Sequence, residues 1–169
     1  MSVLNPDHLL DQADRLIAPP GGGAPRQADL RRAISNAYYA LFHAIATEAA
    51  DDFAGRTQRQ GSRYALVYRS IAHGSLRRLC EDVAKTKPPT KYDAYVPKTG
   101  FGADLIAVAA AVIDLQENRH QADYDPLFRV RMSDAVSAVA TARTALARFR
   151  NANRAARKAF ISLAVFSPR

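Results

Sequence analysis

Alanine-rich segments in which an apolar residue recurs every three or four positions follow one another along most of the 169-residue chain. This spacing places the apolar residues on one face of an α-helix, whereas a half-buried β-strand would alternate apolar and polar residues. No segment sustains such alternation. The pattern therefore predicts an all-α protein, and 48% hydrophobic against 24% charged residues indicates that the chain can bury a core rather than remain disordered.

Capping residues and helix breakers divide the chain into five predicted helices. Their predicted bounds run from just after Asn5-Pro6 to just before Pro19, from about Gln27 to Ala50, from about Ser62 to Lys85, from about Ala103 to Asp123, and from Asp125-Pro126 past Arg150. Within the third helix, Gly74 is a candidate interruption, after which Ser75 could cap a second segment. One face of the second helix should be buried by a stripe of apolar residues: Leu30, Ile34, Ala37, Leu41, Ile45 and Ala49.

Helices of this number and length are expected to form a single domain. We predict an antiparallel up-and-down bundle of four to five main helices over residues 1–169, with its core at about 27–158. The C-terminal tail, 159–169, contains a run from Phe160 to Phe166 that is too apolar to remain in water and should pack on the body or on a second subunit. Small bundles often bury such surface by pairing with a copy of themselves, which favours a homodimer.

The charge of the chain is concentrated in its last quarter. Residues 1–125 carry 15 basic and 15 acidic side chains, whereas residues 126–169 carry nine basic side chains and Asp134 alone, which accounts for the net charge of +8. Such asymmetry favours contact with a polyanion. Nucleic acid is the first candidate, and an acidic membrane surface or an acidic protein is the second. The alternative interpretation is a solvated basic helix that binds no partner. Four arginines follow one another along the predicted last helix: Arg143, Arg150, Arg154 and Arg157.

Other features indicate a cytoplasmic protein without a cofactor. Cys80 is the single cysteine, so no internal disulfide supports secretion. The acidic start of the chain is unlike a signal peptide, and the longest apolar run, Leu105 to Ile113, is too short to cross a bilayer. The sequence has no glycine-rich phosphate loop after a strand and no cysteine or histidine pair at metal-ligand spacing, so we predict neither a cofactor nor a metal site.

A polar stripe on the second helix is the first candidate binding surface. Arg32, Asn36, Tyr39 and His43 fall at i, i+4, i+7 and i+11, so a helix aligns them on one side. Arginine and aromatic side chains are the usual means of holding phosphates and unpaired bases of RNA. The alternative is a half-exposed face that packs on a neighbouring helix through the tyrosine ring.

Arg119 is the second candidate. It lies on the same side of the fourth helix as the apolar stripe Leu105, Val108 and Val112, where a charge must be paired. Asp123, one turn later, is its nearest possible partner. The spacing leaves two interpretations open, a structural ion pair or a guanidinium that lines a functional cleft.

Two segments resemble those of a known family. The first, residues 30–44, reads LRRAISNAYYALFHA, and the second, Arg119 to Asp125, reads RHQADYD. They are similar to the "R-A-x-S-x-A-Y-Y-A-x-F-H-A" and "R-x-x-A-D-Y" patterns of HEPN-domain proteins, the higher eukaryotes and prokaryotes nucleotide-binding helical bundles. The resemblance covers about residues 28–150. It implies a dimeric bundle of four or five helices that binds RNA, acts as a metal-independent ribonuclease, or partners a nucleotidyltransferase or an antitoxin in toxin-antitoxin and defence systems.

The chain departs from the family at the position that decides activity. In active members, four to six residues separate the arginine from a histidine. Counted from Arg119, the positions where that histidine would stand hold Tyr124, Asp125 and Pro126. His73 does not complete the motif either, because only three residues separate it from Arg69. If the chain is an enzyme, the resemblance places its catalytic residues at Arg119, His120 and Tyr124.

We therefore expect a catalytically degenerate, RNA-binding HEPN-like domain. The binding residues would be those of the polar stripe, Arg32, Asn36, Tyr39 and His43, and the four C-terminal arginines. The alternatives are a metal-independent endoribonuclease with a non-standard active site and a non-enzymatic module that holds a nucleotidyltransferase or another protein.

Overall fold

A computed structural model describes residues 4–168, and all regular elements within them are helical. This confirms the all-α prediction. The α-helices of this part of the chain are α1 (Pro6–Ile17), α2 (Gln27–Ala54), α3 (Ser62–Ser70), α4 (His73–Val83), α5 (Gly102–Tyr124), α6 (Met132–Asn151) and α7 (Arg154–Val165). Short 3-10 turns lie at Arg56–Gln58 and Thr90–Tyr92.

Local signals place the first two helices correctly. The Asn5 side chain accepts a hydrogen bond from the Asp7 amide at 3.0 Å, and Pro6 occupies the first turn of α1. Helix α2 begins at Gln27 as predicted and runs four residues past the predicted end at Ala50, because the chain does not leave the helix until Gly55, whose φ is 91°.

The predicted third helix is two helices, and its predicted interruption is misplaced. The break lies at Ile71 and Ala72, and Gly74 belongs to the first turn of α4. Ile71 has an extended backbone and a buried side chain. The break therefore coincides with a buried residue, and no capping residue in the sequence marks its position.

The predicted fifth helix is wrong at its start, and the arginines after its observed end belong to a separate helix. Asp125 does not cap a helix, because its side chain accepts a hydrogen bond from the Leu127 amide at 2.8 Å and so closes a turn. Helix α6 begins seven residues later, at Met132, where Asp134 accepts from the Arg131 amide at 3.0 Å. It ends at Asn151, and Asn153 caps a separate helix, α7.

Helix α2 lies at the centre of the bundle, and it packs against α1, α3, α5, α6 and α7. All six residues of its predicted apolar stripe are buried, which confirms that prediction. Helix α1 runs antiparallel to α6, since Arg143 pairs with Asp14 while Arg150 pairs with Asp7 at 2.8 Å. Helices α2 and α5 are also antiparallel, because the first part of α2 contacts the last part of α5. Arg31 donates to the carbonyl oxygen of Ala122, and the Tyr38 ring contacts the Arg119 guanidinium.

The apolar C-terminal run packs on the body of the protein. Phe160, Ile161 and Leu163 on α7 are buried in the same core as α2 and α5. The sequence predicted that this run packs either on the body of the protein or on a second subunit, and the structure shows the first arrangement. Among residues 4–168, no helix is both long enough and apolar enough to cross a membrane.

Candidate functional site

Arg119 lies near the end of α5 and reaches across to α2. Its guanidinium carbon lies 5.6 Å from the ring centroid of Tyr38 and 5.2 Å from that of Tyr39. Only 12% of the Arg119 side chain is exposed. A guanidinium over aromatic faces is attracted by their negative quadrupole, and the attraction grows as water is excluded.

The predicted partner of Arg119 is present. Its Nε donates to Asp123 Oδ2 at 3.0 Å, and its Nη2 donates to the Tyr124 hydroxyl at 3.1 Å. Ser35 on α2 donates to the other oxygen of Asp123 and fixes that carboxylate. The ion pair is not sealed from solvent, because 29% of the Asp123 side chain and 63% of Tyr124 are exposed. Two of the three guanidinium nitrogens are thus held, and Nη1 makes no hydrogen bond to the part of the chain that the structure describes.

His73 lies beside Arg119, although the two residues are far apart in the sequence. It is the first residue of α4, and its Nδ1 is 2.7 Å from the Tyr38 hydroxyl. The His73 ring packs on Phe42 at 4.0 Å and lies 6.0 Å from Tyr39. Arg119 and His73 therefore contact the same two tyrosines. The hydrogen bond occupies Nδ1 and leaves Nε2 as the nitrogen that can exchange a proton.

The sequence does not predict His73 as a site residue, because its spacing from Arg69 on the predicted third helix does not match the family motif. The break at Ile71 and Ala72 is what turns the first residue of α4 toward α2. No residue pattern near position 73 reports this, so only the tertiary structure adds His73 to the site.

His43 forms a second tyrosine–histidine pair, one turn along α2 from Tyr39. Its Nδ1 lies 2.6 Å from the Tyr68 hydroxyl on α3. The rings of Tyr39 and His43 are 5.8 Å apart with their planes at 22°. Burial lowers the pKa of His43 below its usual value, and burial together with the nearby Arg119 charge lowers that of His73. Both imidazoles are consequently neutral at pH 7.

The remaining residues of the polar stripe lie apart from this site. Asn36 is buried and donates to Gln12 of α1 at 3.0 Å, so it serves packing between helices. Arg32 is exposed on the surface of α2. The predicted catalytic residues are neighbours, since Tyr124 binds Arg119 and the exposed His120 lies 5.1 Å from the Tyr124 ring.

The C-terminal arginines are divided between two helices, so the prediction that one helix carries all four is wrong. Arg143 and Arg150 pair with aspartates of α1, and Arg157 pairs with Glu48 of α2 at 3.2 Å. Arg157 also donates to the carbonyl oxygens of Phe149 and Arg150 at the end of α6. Arg154, in the first turn of α7, is exposed. Acidic groups of α1 and α2 therefore compensate much of the C-terminal charge.

Acidification should destabilise the protein through these histidines. The ordinary histidine pKa is 6.5, and the folded state lowers it at His73. Below pH 6.5 the unfolded chain binds protons that the folded chain excludes, so the free energy of unfolding falls as the pH decreases. Urea unfolding at pH 7.5 and 5.5 should show a smaller decrease for His73→Asn than for the wild type. His8→Asn, at an exposed position on α1, should behave like the wild type, and an equal decrease in all three proteins would contradict the prediction.

No protein-family model matches the chain, and comparison with curated proteins and with solved structures found no match. The function of the site therefore has to be inferred from the chemistry of its residues.

Proposed function

We propose that the chain is a HEPN-like RNA-binding domain of the kind that serves toxin-antitoxin or defence systems, and that it binds an RNA phosphate at Arg119. One observation carries the proposal. The guanidinium of Arg119, whose side chain is 12% exposed, is oriented by Asp123 and Tyr124 and by two tyrosine rings, while its Nη1 stays free of hydrogen bonds within residues 4–168. A preoriented guanidinium loses little side-chain entropy when it binds a phosphate through charge-assisted hydrogen bonds.

The two segments that resemble the HEPN patterns meet at this site. Tyr38, Tyr39 and His43 belong to the first segment, and Arg119 and Tyr124 belong to the second. Their contacts support the proposal that the resemblance reflects one binding site rather than two unrelated similarities. As in that family, we propose that two copies of the chain pair and that a nucleotidyltransferase or an antitoxin can serve as a further partner.

RNA binding should depend on Arg119 and on salt. Fluorescence anisotropy with a labelled single-stranded RNA should show about 10- to 100-fold weaker binding for Arg119→Met/Asp123→Asn, because hydrogen bonds to a charged group contribute about 1.5–3 kcal/mol. Replacing Asp123 as well avoids an unpaired carboxylate. Affinity should also fall as salt rises, since phosphate contacts release counterions.

The matched control for this experiment is Arg148→Met, which removes an exposed arginine of α6 that pairs with Asp104. It should bind RNA within about twofold of the wild type, apart from a small electrostatic effect. Equal losses in the two variants would indicate a general charge effect and would refute a site at Arg119. Weak binding that does not respond to salt would instead favour the protein-interaction module.

The placement of His73 favours a second candidate, a metal-independent ribonuclease with a non-standard active site. A neutral imidazole beside a guanidinium can accept the proton of the 2′-hydroxyl while the guanidinium stabilises charge on the phosphate. The 2′-oxygen would then bond to phosphorus as the bond to the 5′-oxygen breaks, and the leaving 5′-oxygen would take a proton from the protonated imidazole or from water. Incubation of RNA in EDTA separates the candidates: cleavage that is lost in both His73→Asn and Arg119→Met/Asp123→Asn supports the ribonuclease, and RNA that is bound but intact supports the binding domain.

A further inference from the structure

Tyr68 and His43 form a nearly parallel pair of rings. Their hydrogen bond is 2.6 Å from Oη to Nδ1, and the lone pair of Nδ1 lies in the imidazole plane, which favours a bond close to that plane. The two ring planes differ by only 12°, and the ring centroids are 5.8 Å apart. The two rings are therefore close to parallel and are joined by this hydrogen bond.

Tyr39 extends this pair toward Arg119. Its ring lies 5.8 Å from that of His43, with the planes at 22°, and the Arg119 guanidinium carbon lies 5.2 Å from the centroid of the Tyr39 ring. We call Tyr39, His43 and Tyr68 the aromatic strip. It is a row of three nearly parallel rings with a cationic group at one end.

All three rings of the aromatic strip are partly exposed. The Tyr68 hydroxyl and His43 Nδ1 satisfy each other, so these two atoms need no further partner. Burial lowers the pKa of His43, which keeps its ring uncharged at pH 7. What the strip offers to a ligand is therefore aromatic surface, which suits stacking better than hydrogen bonding.

We propose that the aromatic strip is a stacking surface for unpaired nucleobases, so that the ligand is single-stranded RNA. The inference rests on the proposed function, in which Arg119 binds a phosphate of the same strand. Every base has a π-face, so stacking on such a row is tolerant of sequence. In duplex RNA the bases are already stacked on one another and are not available to the strip.

The test compares a labelled single-stranded RNA octamer with an abasic ribose-phosphate oligomer of the same length. Replacing Tyr39 by leucine keeps an apolar side chain but removes the ring. Tyr39→Leu should weaken binding of the base-bearing octamer by about 5- to 100-fold, the loss expected for one base–aromatic stacking contact. It should weaken binding of the abasic oligomer by a smaller factor, because it removes only one of the contacts that orient Arg119. Tyr39→Phe should bind both oligomers as the wild type does.

Two further variants distinguish failure of this inference from failure of the proposed function. Arg119→Met/Asp123→Asn should weaken both oligomers, because both carry phosphates. Tyr95→Leu removes an exposed tyrosine of the loop before α5 and should weaken neither. Equal weakening of both oligomers by Tyr39→Leu, or duplex RNA that binds as tightly as the octamer, would overturn the stacking surface and leave the phosphate site intact. Insensitivity of both oligomers to the Arg119 variant would overturn the proposed function itself.

Should Tyr39→Leu unfold the protein, Tyr68→Leu provides the same comparison at the far end of the strip. It removes a ring from α3 and leaves the contact between Tyr39 and Arg119 in place. Selective weakening of the base-bearing octamer supports the stacking surface, and equal affinity for the octamer in Tyr68→Leu and wild type refutes a strip that extends to α3.

Discussion

Replacing Arg31 by methionine should lower the free energy of unfolding by about 2–4 kcal/mol, although Arg31 pairs with no carboxylate in the described chain. Its guanidinium holds the connection between α5 and α6. Nη1 donates to the carbonyl oxygens of Ala122 and Asp125 at 3.0 and 2.8 Å, and Nη2 donates to those of Pro126 and Phe128. The variant leaves partly buried carbonyl oxygens without a donor, which costs about 1–3 kcal/mol for each one that water cannot reach.

The same change should loosen the site. Residues 125–131 follow Tyr124 directly, and the Tyr124 hydroxyl accepts a hydrogen bond that helps to orient Arg119. Hydrogen exchange in this connection should therefore be faster in Arg31→Met, because local opening becomes easier when its anchoring bonds are removed.

Arg32→Met is the matched control for Arg31, since it removes the same group from the next position, where the side chain is exposed. It should change the unfolding free energy by no more than about 0.5 kcal/mol in urea denaturation. Similar values for the two variants would show that the carbonyl contacts of Arg31 do not form in solution.

Replacing Phe160 by alanine should cost about 3–5 kcal/mol, the usual range for removing a buried phenylalanine. The Phe160 side chain is completely buried within the core that α7 shares with α2 and α5. The change removes the apolar contacts of the ring and leaves a cavity, because close-packed neighbours relax only in part. Chemical denaturation should show a lower midpoint, with a slope close to that of the wild type.

Phe166→Ala is the control for the second experiment, because it removes the same ring at the end of α7. Phe166 is 62% exposed and packs against the Phe53 ring at 5.3 Å. Its loss should cost less than about 1 kcal/mol. If Phe160→Ala were no more destabilising than Phe166→Ala, α7 would not be part of the folded core.

The sequence alone predicted those features that depend on neighbouring residues. The cap at Asn5 and the buried stripe of α2 follow from hydrogen bonding within one turn and from helical periodicity. The ion pair between Arg119 and Asp123 follows from the same rule, since residues four apart lie on one face of a helix. Such local interactions do not require knowledge of which helices meet.

The tertiary structure decided the features that depend on contacts between helices. The break before His73 coincides with the burial of Ile71, and the late start of α6 accompanies the contacts between Arg31 and the α5–α6 connection. Three of the C-terminal arginines form ion pairs with carboxylates of α1 and α2. These ion pairs leave less uncompensated positive charge than the residue count predicts. His73 and Arg119 contact the same tyrosine, Tyr38, from two different helices for the same reason. The free energy of burying apolar surface in a shared core outweighs local preferences, and it brings together residues whose positions in the sequence do not indicate that they will meet.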